Sequence, residues 1–191
     1  FSFVNPFMPL FIQELGTLSN QKAAFWAGIA TSASSIAMFF SAPLWGIVAD
    51  RWGRKPMVLR AMFGAGVVLA LIGLAPNIYY IIGLRFVQGL LSGTVTAASA
   101  LVAASTPRNK MPFAMGLLMV AVFGGTSFGP LTGGFMADSV GYKAAFFITG
   151  GLLFSGGLIV LFLVKEKFER PAPGQRASLS SLLHLARSKE M

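Results

Sequence analysis

Gly46-Ile47-Val48-Ala49-Asp50-Arg51-Trp52-Gly53-Arg54-Lys55 is a cluster of glycine, acid and base set between two long apolar runs. Upstream, Ala23 to Ala49 holds 27 residues without a Lys, Arg, Asp or Glu; downstream, Ala61 to Leu84 holds another 24. Each run exceeds the ~20 residues a helix needs to cross hydrocarbon. The cluster therefore reads as the tight turn where one membrane helix ends and the next begins. The pattern returns 88 positions later as Gly134-Phe135-Met136-Ala137-Asp138-Ser139-Val140-Gly141-Tyr142-Lys143, with Gly, Ala, Asp, Gly and Lys at the same spacing. With three spans between the copies, the second lies on the opposite face of the membrane, the mark of an inverted-topology repeat.

Composition agrees. The chain has 191 residues, 11% of them charged, 22 glycines and a mean hydropathy of +0.72, which no soluble domain of ordinary make-up resembles. Its net charge of +9 would suggest nucleic acid in a soluble protein. Here the location of the charges decides otherwise. Arg51, Arg54, Lys55, Arg60, Arg108, Lys110, Lys165, Lys167, Arg170, Arg176, Arg187 and Lys189 fall on one side of the expected spans, and only Lys22 and Lys143 on the other. That bias assigns the first set to the cytoplasm, and no nucleic-acid partner is needed to explain it. With no cysteine there is neither a disulfide framework nor a thiolate metal site. No basic n-region or cleavage site marks the N-terminus as a signal peptide.

Taken in order, Phe1 to Ile12 reads as the outer end of a truncated first span, broken at Asn5-Pro6 and Pro9, followed by an external loop over Glu14 to Lys22. The second span is expected over Ala24 to Val48, with Ala42, Gly46 and Asp50 on one face, and the third over Met57 to Ala75. Pro76-Asn77 supplies a turn. The fourth, Ile78 to Ala104, places Arg85 inside the membrane. Treating Arg85 as a loop residue would instead bury Pro76-Asn77 in mid-helix and put the loop Thr106 to Lys110 out of phase. The fifth and sixth spans are expected over Met111 to Ala137 and Ala144 to Val164. This gives a six-helix transmembrane domain over 1–167. Over 168–191 a Pro/Gly linker leads to a short amphipathic helix, Ser178 to Glu190, at the start of an inter-domain loop on the cytoplasmic surface. His184 is read as a surface residue of that helix.

Several positions carry chemistry by residue type. Gly46 permits close backbone approach, and Asp50, at a helix end, can accept a charged hydrogen bond from Arg51, Arg54 or a facing helix N-terminus. The basic residues of the turn anchor in anionic headgroups. Arg85 within a span costs ~2.5–3.5 kcal/mol even on insertion scales, so it must face protein or water. Gly125, Gly129 and Gly133 form a stripe against which a neighbouring helix can pack, while Pro130 is expected to kink the helix by removing a hydrogen bond. Gly89, Gly93 and Ala97 form a similar stripe. Asn5, Met8, Met38, Phe39, Met115, Met119 and Phe123 are candidates for contact with substrate, because polarizable Met and aromatic surfaces accept varied lipophilic molecules.

With these residues in view, the chain resembles the N-terminal half of a major facilitator superfamily transporter, closest to the twelve-span drug:proton antiporters. Residues 46–55 resemble the signature between spans two and three. Arg85, Gln88 and Gly89 resemble the RxxQG signature of span four, and Gly125-Thr126-Ser127-Phe128-Gly129-Pro130-Leu131-Thr132-Gly133-Gly134 the antiporter signature of span five. The resemblance implies an all-α membrane bundle of two inverted three-helix repeats, half of the complete fold. It implies a cytoplasmic gate built from Gly46, Asp50, Arg51, Gly53, Arg54 and Lys55, and proton coupling through Arg85, Gln88 and Gly89. Gly125, Gly129, Pro130, Gly133 and Gly134 would mark an exporter rather than an uptake carrier. No cofactor is implied, since a proton gradient supplies the energy. The implied partners are a small lipophilic substrate, protons, the lipid bilayer of a bacterial cytoplasmic membrane and a C-terminal six-span half.

One departure stands out. No carboxylate falls inside a complete span, whereas antiporters of this type often carry one in span one. An uptake carrier for sugars or organic acids would need substrate-binding polar residues on spans one and four, which here are mostly small and apolar, with Asn5 and scattered Ser and Thr besides Arg85 and Gln88. A non-transporting membrane scaffold is a further alternative. An enzyme is not expected, because no paired-acid site, histidine cluster or nucleophile with a base is present.

Overall fold

The computed structural model describes residues 3–16 and 19–166, and every regular element among them is helical. The linker and amphipathic helix expected over 168–191, with His184, lie outside the described residues. The helices are α1 (Met8–Gly16), α2 (Asn20–Trp52), α3 (Lys55–Gly73), α4 (Ile78–Leu91), α5 (Thr94–Ser105), a 3₁₀ turn (Arg108–Lys110), α6 (Met111–Val140) and α7 (Tyr142–Leu163). Five segments are long and apolar enough to cross a membrane: α2, α3, α4 together with α5, the 3₁₀ turn with α6, and α7. The 9 residues of α1 cover only ~14 Å at ~1.5 Å per residue.

The repeat seen in the sequence is a repeat in geometry. α2 ends at Gly53 (φ 97°) and α6 at Gly141 (φ 85°), and each glycine N–H closes its helix on the carbonyl of the alanine four residues earlier, Ala49 or Ala137, at 3.0 Å. Positive φ costs an L side chain a clash that glycine avoids, so both copies need Gly at this register.

Two expectations require correction. Pro9 does not break a helix, because α1 begins at Met8 and proline in a first turn removes an N–H that has no intrahelical partner there. The fourth span is not one continuous helix either. It stops at Leu91, passes through extended Ser92 and left-handed Gly93 (φ 112°), and restarts at Thr94. Gly93 is thus a joint and not a member of a packing stripe with Gly89 and Ala97.

Glycine sets the closest helix crossings. A Cβ at Gly66 of α3 would meet the Gly150 carbonyl at 3.0 Å, and one at Gly150 of α7 would meet the Gly66 carbonyl at 2.8 Å. Backbone therefore rides on backbone where α3 crosses α7, the most extensive contact in the bundle. α3 is the central helix, with half of its most apolar window buried, whereas the corresponding window of α6 has none buried. The core cluster lies at the end away from the Gly46–Lys55 turn, where Phe7 and Phe11 pack on the Phe146 ring at 5.4 and 4.9 Å between centroids. Asn77 starts α4 by accepting the Tyr80 N–H at 3.0 Å, which fixes the turn after Pro76.

Candidate functional site

Arg85 sits in mid-α4, 4% exposed, as its charge requires. Its Nη1 donates to Gln88 Oε1 at 3.0 Å, one helical turn along, and its Nη2 to Asn5 Oδ1 at 3.4 Å, from the segment that precedes α1. Arg85 Nε and Gln88 Nε2 are buried without a partner. No ion pair joins Arg85 to a carboxylate among the described residues. Gly89, the third member of the span-four motif, presses on α2, since a Cβ there would overlap the Ser34 carbonyl oxygen. Its own carbonyl accepts Ser41 Oγ at 3.4 Å.

The span-five glycines separate by environment. Gly129 and Gly133 are buried, and a Cβ at Gly133 would overlap the Phe3 carbonyl oxygen, two residues before Asn5. Gly125 and Gly134 have open space where a Cβ would be. α6 runs through Pro130 without interruption.

At the end of the bundle that carries the Gly46–Lys55 turn, Ala42, Gly46, Asp50 and Arg54 line a cavity of ≈ 570 Å³ together with Arg60, Met38 and the Ser92-Gly93 joint. Beyond its own turn of helix, nothing among the described residues lies within 4 Å of the position a Cβ at Gly46 would take, so close approach of another helix at Gly46 is not made within them. Nor do Arg51 and Arg54 bond Asp50 among them. The Arg54 and Lys55 amides are instead taken by Glu166: Arg54 N donates to Oε1 at 2.8 Å and to Oε2 at 3.1 Å, and Lys55 N to Oε2 at 2.8 Å. A carboxylate on the first amides of α3, which have no intrahelical partner, complements the positive end of the helix dipole, and Lys55 Nζ adds a bond to the Leu161 carbonyl at 2.8 Å. Glu166→Ala is expected to lower stability by about 1–2 kcal/mol. An unchanged unfolding midpoint of the purified protein in detergent would show that the cap is not formed in solution.

Three residues here were not legible as functional. Arg60, which composition counts as one more cytoplasmic charge, stacks on Trp45 with its guanidinium carbon 3.4 Å from the ring centroid, and its Nη2 donates to the Ser92 carbonyl at 3.0 Å. Trp45 Nε1 donates to the Leu90 carbonyl at 2.6 Å. The two side chains thus satisfy carbonyls released where the fourth span unwinds, the condition on which irregular backbone is tolerated at membrane depth. Glu166 is the third, and only its position between Lys165 and Lys167 hinted at a local role.

Three of the seven candidate substrate contacts line cavities, and not the same one. Asn5 and Met8 line a groove of ≈ 720 Å³ between the N-terminal segment and α2. Met38 lines the cavity at the Gly46–Lys55 end, and Phe39, 74% exposed, sets its ring edge-on to Phe40 at 5.4 Å. Met115, Met119 and Phe123 recur every fourth residue along α6, remote in sequence from both.

The comparisons with known proteins fit this geometry. The family model described as Major Facilitator Superfamily matches residues 1–191. The chain is 42% identical over 168 residues to "Multidrug resistance protein MdtG" of Yersinia enterocolitica, covering 88% of this chain and 41% of that one. It is 40% identical over 185 residues to the protein of the same name from Escherichia coli O1:K1, covering 97% of this chain and 44% of that one. The chain thus spans less than half the length of these relatives. Among solved structures, the human organic anion transporter MFSD10 (TETRAN) superposes with a TM-score of 0.77 at 20% identity, covering 96% of this chain and 48% of that one, which is a likeness of fold. A paired copy of the turn motif, a buried arginine on a broken fourth span and a matching family model over the whole length agree: the chain is a multi-pass membrane protein that belongs to the Major Facilitator Superfamily.

Proposed function

We propose that these residues form the first half of a secondary active transporter of a bacterial cytoplasmic membrane, which exports lipophilic drugs or related small molecules in exchange for protons. The observation that carries this reading is the identity of 40–42%, over nearly the whole chain, to proteins named for multidrug resistance. The two inverted repeats suit alternating access, in which six-span halves rock about a central site. Arg85, Gln88 and Gly89 are assigned to proton coupling, Gly125, Gly129, Pro130, Gly133 and Gly134 to the export direction, and Gly46, Asp50, Arg51, Gly53, Arg54 and Lys55 to the cytoplasmic gate. Asp50 lines an open cavity and forms no ion pair among the described residues, which leaves its carboxylate available to a helix of the other half. Asn5, Met8, Met38, Phe39, Met115, Met119 and Phe123 remain the proposed contacts with substrate, and no cofactor is called for.

The test is substrate-dependent proton movement in proteoliposomes that hold the product of the complete gene. Drug export driven by an imposed pH gradient supports the reading, and its absence for a broad panel of lipophilic compounds overturns it. In the same assay Asp50→Asn is expected to insert normally but to lose transport about 10- to 100-fold, the size of a coupling free energy of ~1–3 kcal/mol. Wild-type rates would remove Asp50 from the gate.

A further inference from the structure

Arg85 poses a physical question that proton coupling leaves open. A guanidinium withdrawn from water stays charged, at a desolvation cost that is large unless something compensates it, and the oxygens that reach this one, on Gln88 and Asn5, belong to neutral amides. Of the four carboxylates among the described residues, Glu166 caps α3, Asp50 and Asp138 stand in the last turns of α2 and α6, and Glu14 lies near the end of α1. None bonds Arg85.

The bond to Asn5 fixes what Asn5 can offer. Guanidinium is a donor only, so the amide oxygen must face Arg85, and the amide nitrogen, with two N–H groups, makes no hydrogen bond among the described residues. Asn5 is exposed and lines the groove between the N-terminal segment and α2, with Met8, Pro9 and Ile36 as apolar wall. A donor whose oxygen is held by a cation is polarised towards acceptors. Thr31 and Ser35 in the same wall spend their hydroxyl protons on their own helix, on the Ala27 and Thr31 carbonyls at 2.9 and 3.1 Å. No Asp or Glu lines the groove, in contrast to the cavity that holds Asp50. At ≈ 720 Å³ the groove is of the size that takes small molecules.

We infer that the groove binds the anionic end of an amphiphilic substrate, with the Asn5 amide as donor and Arg85 behind it as counter-charge. This deepens the export reading and rests on it for the term substrate. Asn5 thereby determines specificity: it leaves Arg85 uncompensated until an anion arrives, where an aspartate would neutralise Arg85 within the half and turn the groove towards cations. Gly133 supports the arrangement, because only glycine lets α6 come so close to Phe3 and hold the segment that carries Asn5.

The experiment measures equilibrium binding of two size-matched probes, a naphthalenesulfonate and a naphthyltrimethylammonium, to the purified full-length protein in detergent. The wild type is expected to bind the sulfonate about tenfold tighter, the worth of one hydrogen bond to a charged group. Asn5→Asp is expected to abolish or invert that ratio, and Asn5→Ala to reduce it while apolar binding persists. Equal affinities or a preference for the ammonium in the wild type would overturn the inference, as would a ratio unmoved by both variants. Should Asn5→Asp not fold, the wild-type ratio and Asn5→Ala decide alone. Because binding is read without transport, loss of the export reading and loss of this inference are distinguishable: a selective binder that moves nothing refutes the first, and an exporter of cations only refutes the second.

Discussion

A protein carrying Arg85→Met together with Gln88→Leu is expected to be at least as heat-stable as the wild type and to have lost transport. The buried guanidinium makes two hydrogen bonds, both to neutral oxygens, and leaves Nε without a partner. Removing such a group from hydrocarbon-like surroundings is commonly neutral or stabilising by about 1–4 kcal/mol when an apolar side chain of similar volume fills the space. Arg85→Met alone is the wrong test of stability. It would strand Gln88, 1% exposed, with unpaired amide atoms at a cost of about 1–3 kcal/mol. The double variant removes both polar groups, and exposed Asn5 can find water. Transport should fall by about 100-fold, the upper range of a coupling free energy between sites. The measurement pairs a thermal unfolding curve in detergent with transport in proteoliposomes. A large fall in unfolding temperature would mark Arg85 as a structural anchor, and transport at wild-type rates would remove it from the mechanism.

The second large effect is expected at Gly89. A Cβ there overlaps the Ser34 carbonyl oxygen and comes within 2.8 Å of the Ala37 methyl, and a backbone oxygen in the middle of α2 cannot swing aside as a side-chain end can. Gly89→Val should therefore force α2 and α4 apart and cost about 3 kcal/mol, at the upper end of overpacking. Gly83, on the same helix, has nothing within 4 Å of the corresponding position, so Gly83→Ala should change stability by no more than about 0.5 kcal/mol. Detergent-solubilised yield and unfolding temperature of the two variants check this directly. Equal behaviour would mean that the helices do not cross at Gly89. A role for Gly89 in proton coupling can be probed only by changes smaller than this packing effect.

The contrast between Gly89 and Gly93 shows where sequence reading stops. Both fell in one small-residue stripe, yet one is a crossing point and the other a left-handed joint. Spacing of four residues records that side chains are small; it does not record whether the space saved is lateral, for a neighbouring helix, or torsional, for the backbone itself. Arg60 teaches the same lesson for charge. In sequence it lies at the edge of an apolar run with other cations, and only the fold brings Trp45 and the Ser92 carbonyl to it from two other spans.

What the sequence by itself determined is whatever depends on local composition and periodicity. The apolar runs, the Lys and Arg bias and the doubled Gly-Ala-Asp-Gly-Lys pattern settled a helical membrane protein with a repeated turn, because hydrocarbon allows few other solutions to backbone hydrogen bonding and a left-handed helix end calls for glycine at one register. The burial of Arg85 followed from the cost of charge in a membrane. Only the tertiary structure decided which atoms meet: Asn5 with Arg85 across 80 residues of chain, Glu166 with the first amides of α3 across 111 and 112. Such pairings depend on where separate helices cross, and crossings are fixed by the summed fit of many small contacts, which no single stretch of sequence records.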